Sequence, residues 1–123
     1  PATAEPLPYL RAASDLEQTG RLDSAALAYQ SAMQHWPEQA AARFGMGNVA
    51  WAQGRHGEAV EHFRTLTSEF PELQAGWNNL AYGLETTGCP LAAEKARACA
   101  TATQNNSSSA PAHVLVCQVP ACP

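Results

Sequence analysis

Lysine is all but missing from this 123-residue chain: Lys95 is the only one, and seven lysines and arginines together stand against eleven acidic residues, for a formal net charge of −4. A surface that tracks phosphates needs clustered Lys and Arg, and the arginines here are scattered along the sequence, so no nucleic-acid partner is expected. Long apolar runs are lacking too. No stretch approaches the roughly 20 residues needed to cross a bilayer, and no basic, apolar, small-residue leader pattern opens the chain, so membrane insertion is not expected. The sequence begins at Pro1 without a methionine, which reads as a processed mature protein or a piece of a longer one. With 15% charged and 46% hydrophobic residues, the composition is that of a globular chain with a core to bury.

The usual traces of catalysis are also missing. Phosphate binding, nucleophilic attack and acid–base chemistry each need particular residues at particular spacings. There is no Gly-rich phosphate loop; Gly45-Met46-Gly47 reads as a close-packing feature. His113 and Cys117 form a nominal base and nucleophile, but they lie in a thin tail with no third orienting group. The chain is therefore read as no enzyme and as needing no cofactor. His35, His56 and His62 share no spacing that would face them together and read as ordinary surface histidines.

What is present is a period. Gly20, Gly54 and Gly88 recur every 34 residues, as do Pro37 and Pro71. Ala25, Tyr29 and Ala32 before the first proline are answered by Ala59, Phe63 and Leu66 before the second. Small residues let two antiparallel helices approach while an aromatic one turn away fills the gap. Glycine can take positive φ just past the first helix, and proline ends the second. The third unit opens well, with Trp77, Leu80, Ala81, Leu84 and Gly88. It closes poorly: Pro90, Ala93 and Ala100 fit, but Arg97 replaces the aromatic and Asn105 the proline.

These residues resemble the tetratricopeptide repeat family over about residues 6 to 104. The fold class expected is all-α: a solenoid of three helix–turn–helix repeats (about 6–39, 40–73 and 74–104) with a non-helical C-terminal tail. Helices are predicted near 8–19, 22–35, 38–53, 56–69, 72–87 and 90–103. Residues 1–7 form a lead-in, 105–112 an Asn/Ser hinge, and 113–123 a cysteine-bearing tail whose residues 113–119 are β-prone and which packs on the last helix.

The resemblance implies a module that binds an extended peptide or a partner helix in its concave groove, and no intrinsic chemistry. First helices line that groove, which selects Leu10, Ser14 and Glu17 in the first unit, Phe44, Asn48 and Trp51 in the second, and Asn78, Tyr82 and Glu85 in the third. Exposed aromatics beside amides and carboxylates suit a peptide backbone with apolar or basic side chains; the alternative is that Phe44 and Trp51 pack between repeats. A subtype of the family grips a C-terminal carboxylate with paired cations. Here Leu10, Gly45, Ala75 and Asn79 stand near those positions, so that function is not carried over.

All four cysteines, Cys89, Cys99, Cys117 and Cys122, fall in the last third of the chain. Cys89 and Cys99 are about 15 Å apart along a helix, too far to bond to one another. Cys117 and Cys122 are about 16 Å apart if extended. The spans match, so a tail running antiparallel to the last helix would pair Cys99 with Cys117 and Cys89 with Cys122. Two disulfides would cap the terminal repeat, with Val114, Leu115, Val116 and Val119 as cover, Arg97 being tolerated because no further helix packs there. They would also imply an oxidising, exported location such as a bacterial periplasm. Free thiols are the alternative, as is a metal site with His113, although no close Cys-x-x-Cys pair is present; no metal is expected.

The function expected is protein or peptide binding in the bacterial cell envelope, by a chain read as a monomer. The alternative is an accessory, substrate-recruiting domain of a larger enzyme. The whole sequence is similar to the repeat region that follows a papain-like, bacteriocin-processing-type cysteine peptidase domain in some bacterial envelope proteins, though no catalytic motif of that family occurs here.

Overall fold

Six α-helices and no strand occur among the residues that the computed structural model describes, 5–105 and 117–122. They are α1 (Pro6–Gln18), α2 (Leu22–His35), α3 (Ala40–Ala52), α4 (His56–Glu69), α5 (Gln74–Thr86) and α6 (Pro90–Asn105). The period is written into the backbone at the three glycines. Gly20, Gly54 and Gly88 have φ of +83°, +81° and +91°, and each sits in the same Schellman turn. The residue after the glycine donates its N–H five residues back, from Arg21 to Leu16, Arg55 to Ala50 and Cys89 to Leu84, at 2.8–2.9 Å. The glycine donates three back, to Glu17, Trp51 and Glu85. Carbonyls that a helix end would leave bare are thereby satisfied.

The second helices stop differently. Trp36 and Phe70 make the last helical bonds, to Ala32 and Leu66, and their own carbonyls accept from Gln39 and Leu73. Those turns occupy 36–39 and 70–73, so α3 and α5 start two residues later than the pattern predicts, at Ala40 and Gln74. The first helix begins two residues earlier than expected because Pro6 sits in its first turn, where a missing N–H costs nothing.

The chain divides into two compact units, 1–62 and 63–123. In the first, Leu10, Ala13, Ala25, Tyr29, Ala32, Ala42 and Val49 form a buried cluster, with Tyr9 edge-on to Trp36 at 5.4 Å. A Cβ added at Gly45 would run into the ring of Tyr29, so α3 approaches α2 as closely as only glycine allows. In the second, Leu66, Leu80, Leu84 and Cys99 are fully buried. Each such leucine contributes about 1.5–3 kcal/mol through burial. The Pro71 carbonyl ties both helices of the third repeat, accepting from Trp77 Nε1 at 2.8 Å and from Thr103 Oγ1 at 3.4 Å.

Candidate functional site

The first-helix residues picked out by the repeat register do not share one environment. Leu10 is 6% exposed and belongs to the core cluster of the first unit; it is not a groove residue, because it lies on the stripe of α1 that carries Ala13 inward. Ser14 is half-buried and accepts from Gln18. Glu17 is half-buried and accepts the Tyr29 hydroxyl at 2.8 Å. Burial first, then Glu17, raises the Tyr29 hydroxyl well above the ordinary phenol pKa. Phe44, Asn48 and Trp51 are half-buried, and the Trp51 ring stacks on His56 at 4.1 Å.

Asn78, Tyr82 and Glu85 lie differently. All three are exposed, at spacings i, i+4 and i+7 that place them on one face of α5, while Trp77, Leu80, Ala81 and Leu84 on the other side of the helix are buried. Tyr82, 63% exposed, is one of the few large apolar side chains left in solvent. Glu85 pairs with Arg97 Nη1 at 2.8 Å. Glu85 and Arg97 are 68 residues, two periods, beyond Glu17 and Tyr29, so the same pair of positions is joined in the first and third repeats by different chemistry. Arg97 fits where an aromatic is expected because it is exposed and has this carboxylate.

The tail runs antiparallel to α6. Cys99 pairs with Cys117 at a Cα–Cα distance of 5.9 Å and Cys89 with Cys122 at 5.7 Å. Cys89 and Cys99 are buried, Cys117 half-buried and Cys122 exposed. Residues 117–122 have no regular secondary structure; Val114, Leu115, Val116 and His113, invoked for the β-prone cover and the metal alternative, lie outside the described residues. Arg64 of α4 adds a third hold, donating Nη1 to the Val119 carbonyl at 3.2 Å and Nη2 to that of Pro120 at 2.8 Å. Between tail and helices remains a cleft of about 310 Å³, lined among others by Arg64, Thr67, Trp77, Leu80 and Val119.

The family model for the tetratricopeptide repeat matches residues 10–73, more than half of the chain. The chain belongs to the tetratricopeptide repeat family. Repeats of this family generally mediate protein–protein interaction and are typically not catalytic. The match covers the first two repeats and extends to no peptidase; the third repeat is identified by its own turn at Gly88 and by the helix pair α5 and α6. Comparison with curated proteins gives no match.

Two features of this tetratricopeptide chain escape a sequence reading. Arg64 is one, since nothing in a sequence marks an arginine that will meet backbone carbonyls. The other is His62, which is no ordinary surface histidine. It is half-buried, faces Arg43 Nη1 across 3.3 Å at Nδ1 and lies 3.8 Å from Glu58 at Nε2. Burial, then the Arg43 charge, lowers its pKa against the opposing pull of Glu58. His56, stacked on Trp51, also departs from that expectation. Among the described residues no group of three or more His, Cys, Asp or Glu stands together as metal ligands, and no helix is long and apolar enough to cross a membrane.

Proposed function

We propose that this chain is a protein-interaction module that holds an extended peptide or a partner helix against its first helices, with the α5 face of Asn78, Tyr82 and Glu85 as a principal contact. The observation that carries this reading is Tyr82: a large aromatic left exposed on a helix whose other side is buried, between an amide and a carboxylate. Aromatic rings supply much contact area at small entropic cost, and amides pair with a peptide backbone. Ser14, Glu17, Phe44, Asn48 and Trp51 are the corresponding residues of the other two first helices; Leu10 drops out.

The two cysteine pairs at disulfide distance are compatible with an oxidising, exported location, and the bacterial cell envelope is the setting proposed. The reading is tested by selecting a displayed random-peptide library on the wild-type chain and titrating the enriched peptides against Tyr82→Ala and Trp51→Ala. Affinity is expected to fall at least tenfold for Tyr82→Ala with helical content unchanged. Equal affinity for both variants would remove the first-helix faces from the interaction.

A further inference from the structure

The hold that Arg64 has on the tail is made to the main chain. Its two Nη donors meet the carbonyls of two successive residues, Val119 and Pro120, and such a grip reads the path of an extended backbone rather than its side chains. Selectivity comes from the cleft beside it, where Val119 stands with Trp77, Leu80 and Pro71. The Trp77 indole N–H is already committed to Pro71, so the ring offers apolar surface. Pro120, which follows Val119, has no N–H to satisfy, and its carbonyl is one of the two that Arg64 takes. Thus α4 and the start of α5 carry a seat for an extended segment with a small apolar residue before a proline, and the seat is filled by the chain's own tail.

What keeps it filled is covalent. Bonded at Cys117 and Cys122, the segment has an effective concentration on the order of millimolar or more, which excludes a competing peptide. The bond to Cys122 is the accessible one, because Cys122 is exposed while Cys89, at 3%, and Cys99, at 1%, are buried.

We propose that the Arg64 surface is a receptor site for an extended partner peptide bearing a small apolar residue followed by proline, and that reduction of the two disulfides opens it by releasing the resident tail. The reductant is a dithiol. Its thiolate attacks Cys122 Sγ, the bond to Cys89 breaks, and Cys89 leaves as a thiolate that takes a proton. The second thiol of the reductant then displaces Cys122, leaving the reductant oxidised by two electrons. Cys99–Cys117 follows by the same steps. This site is separate from the α5 face of the proposed function and stands or falls without it.

The experiment titrates a fluorescein-labelled Val-Ser-Gln-Val-Pro-Ala peptide, followed by anisotropy, into four full-length proteins: the oxidised chain, Cys117→Ser/Cys122→Ser under reductant, that double variant with Arg64→Ala, and the same double variant with Tyr82→Ala. Binding at least tenfold tighter to the double variant than to the oxidised chain is expected, with loss of that gain on Arg64→Ala and no change on Tyr82→Ala. Equal binding to the oxidised chain, no binding to the double variant, or a loss on Tyr82→Ala rather than Arg64→Ala would each overturn the proposal. Circular dichroism verifies helical content. Should the double variant lose its helices, the oxidised chain with Arg64→Ala still decides: dithiothreitol is expected to release Cys122 several-fold faster than in wild type, and an unchanged rate would show that Arg64 does not seat the tail.

Discussion

At the scale of single residues, two kinds of glycine do different work. Gly54 stands at φ +81° with nothing within 4 Å of where a Cβ would be, so only its backbone conformation resists substitution. Gly54→Ala is expected to lower stability by about 1–2 kcal/mol, the cost of a left-handed residue with a Cβ. Gly45 has ordinary backbone but lies against the Tyr29 ring; Gly45→Ala should lose about 1–3 kcal/mol through overpacking, and Tyr29→Leu in the same chain should recover part of it. Urea unfolding of the three variants checks both. His62 adds a pH dependence. Its folded pKa lies below the ordinary histidine value of about 6.5, so the unfolded chain binds the proton more readily. The contribution is present in full above pH 6.5 and is lost as pH falls from there through the folded pKa, where Nδ1–H would face the Arg43 guanidinium. Urea midpoints at pH 7.5 and 5.5 should differ more for wild type than for His62→Asn.

At the scale of elements, the contrast between α2 and α6 is instructive. The core cluster of the first unit takes in Tyr29 on α2 and Ala42 and Val49 on α3, and α3 closes in on Tyr29 through Gly45. The third repeat instead has a tail paired with Cys99 of α6 and with Cys89, the residue just before that helix. The cysteines close loops separated by 33 and 18 residues, for which chain entropy predicts about 3–4 kcal/mol each in isolation. The loops are nested, so the two contributions are not additive. Cys89→Ala/Cys122→Ala is expected to lower the unfolding free energy by about 3 kcal/mol in urea titration, with a further decrease when Cys99 and Cys117 are also replaced. A quadruple variant as stable as wild type would mean that the tail adds nothing to the second unit.

At the scale of the whole molecule, what the sequence determined was the repeat: the 34-residue spacing of Gly20, Gly54 and Gly88 follows from local chemistry, since each glycine closes a turn made by its own helix. Helix number, order and class were legible for the same reason; the starts of α3 and α5 were off because the turns at Trp36 and Phe70 take up residues that look helical, that of α1 because Pro6 fits its first turn, and α6 runs two residues past its expected end, to Asn105. The matching spans of Cys89–Cys99 and Cys117–Cys122 likewise belong to the sequence, because rise per residue is a property of local conformation. Tertiary structure decided which residues of a first helix face solvent. Leu10 and Asn78 hold the same register position, ten residues before Gly20 and Gly88, yet Leu10 is buried among α1 and α2 side chains and Asn78 is exposed, a difference set by the neighbouring helices and not by the helix itself. The role of Arg64 was likewise decided in three dimensions, for its partners are carbonyls 55 and 56 residues away and backbone atoms carry no identity that a sequence could spell out.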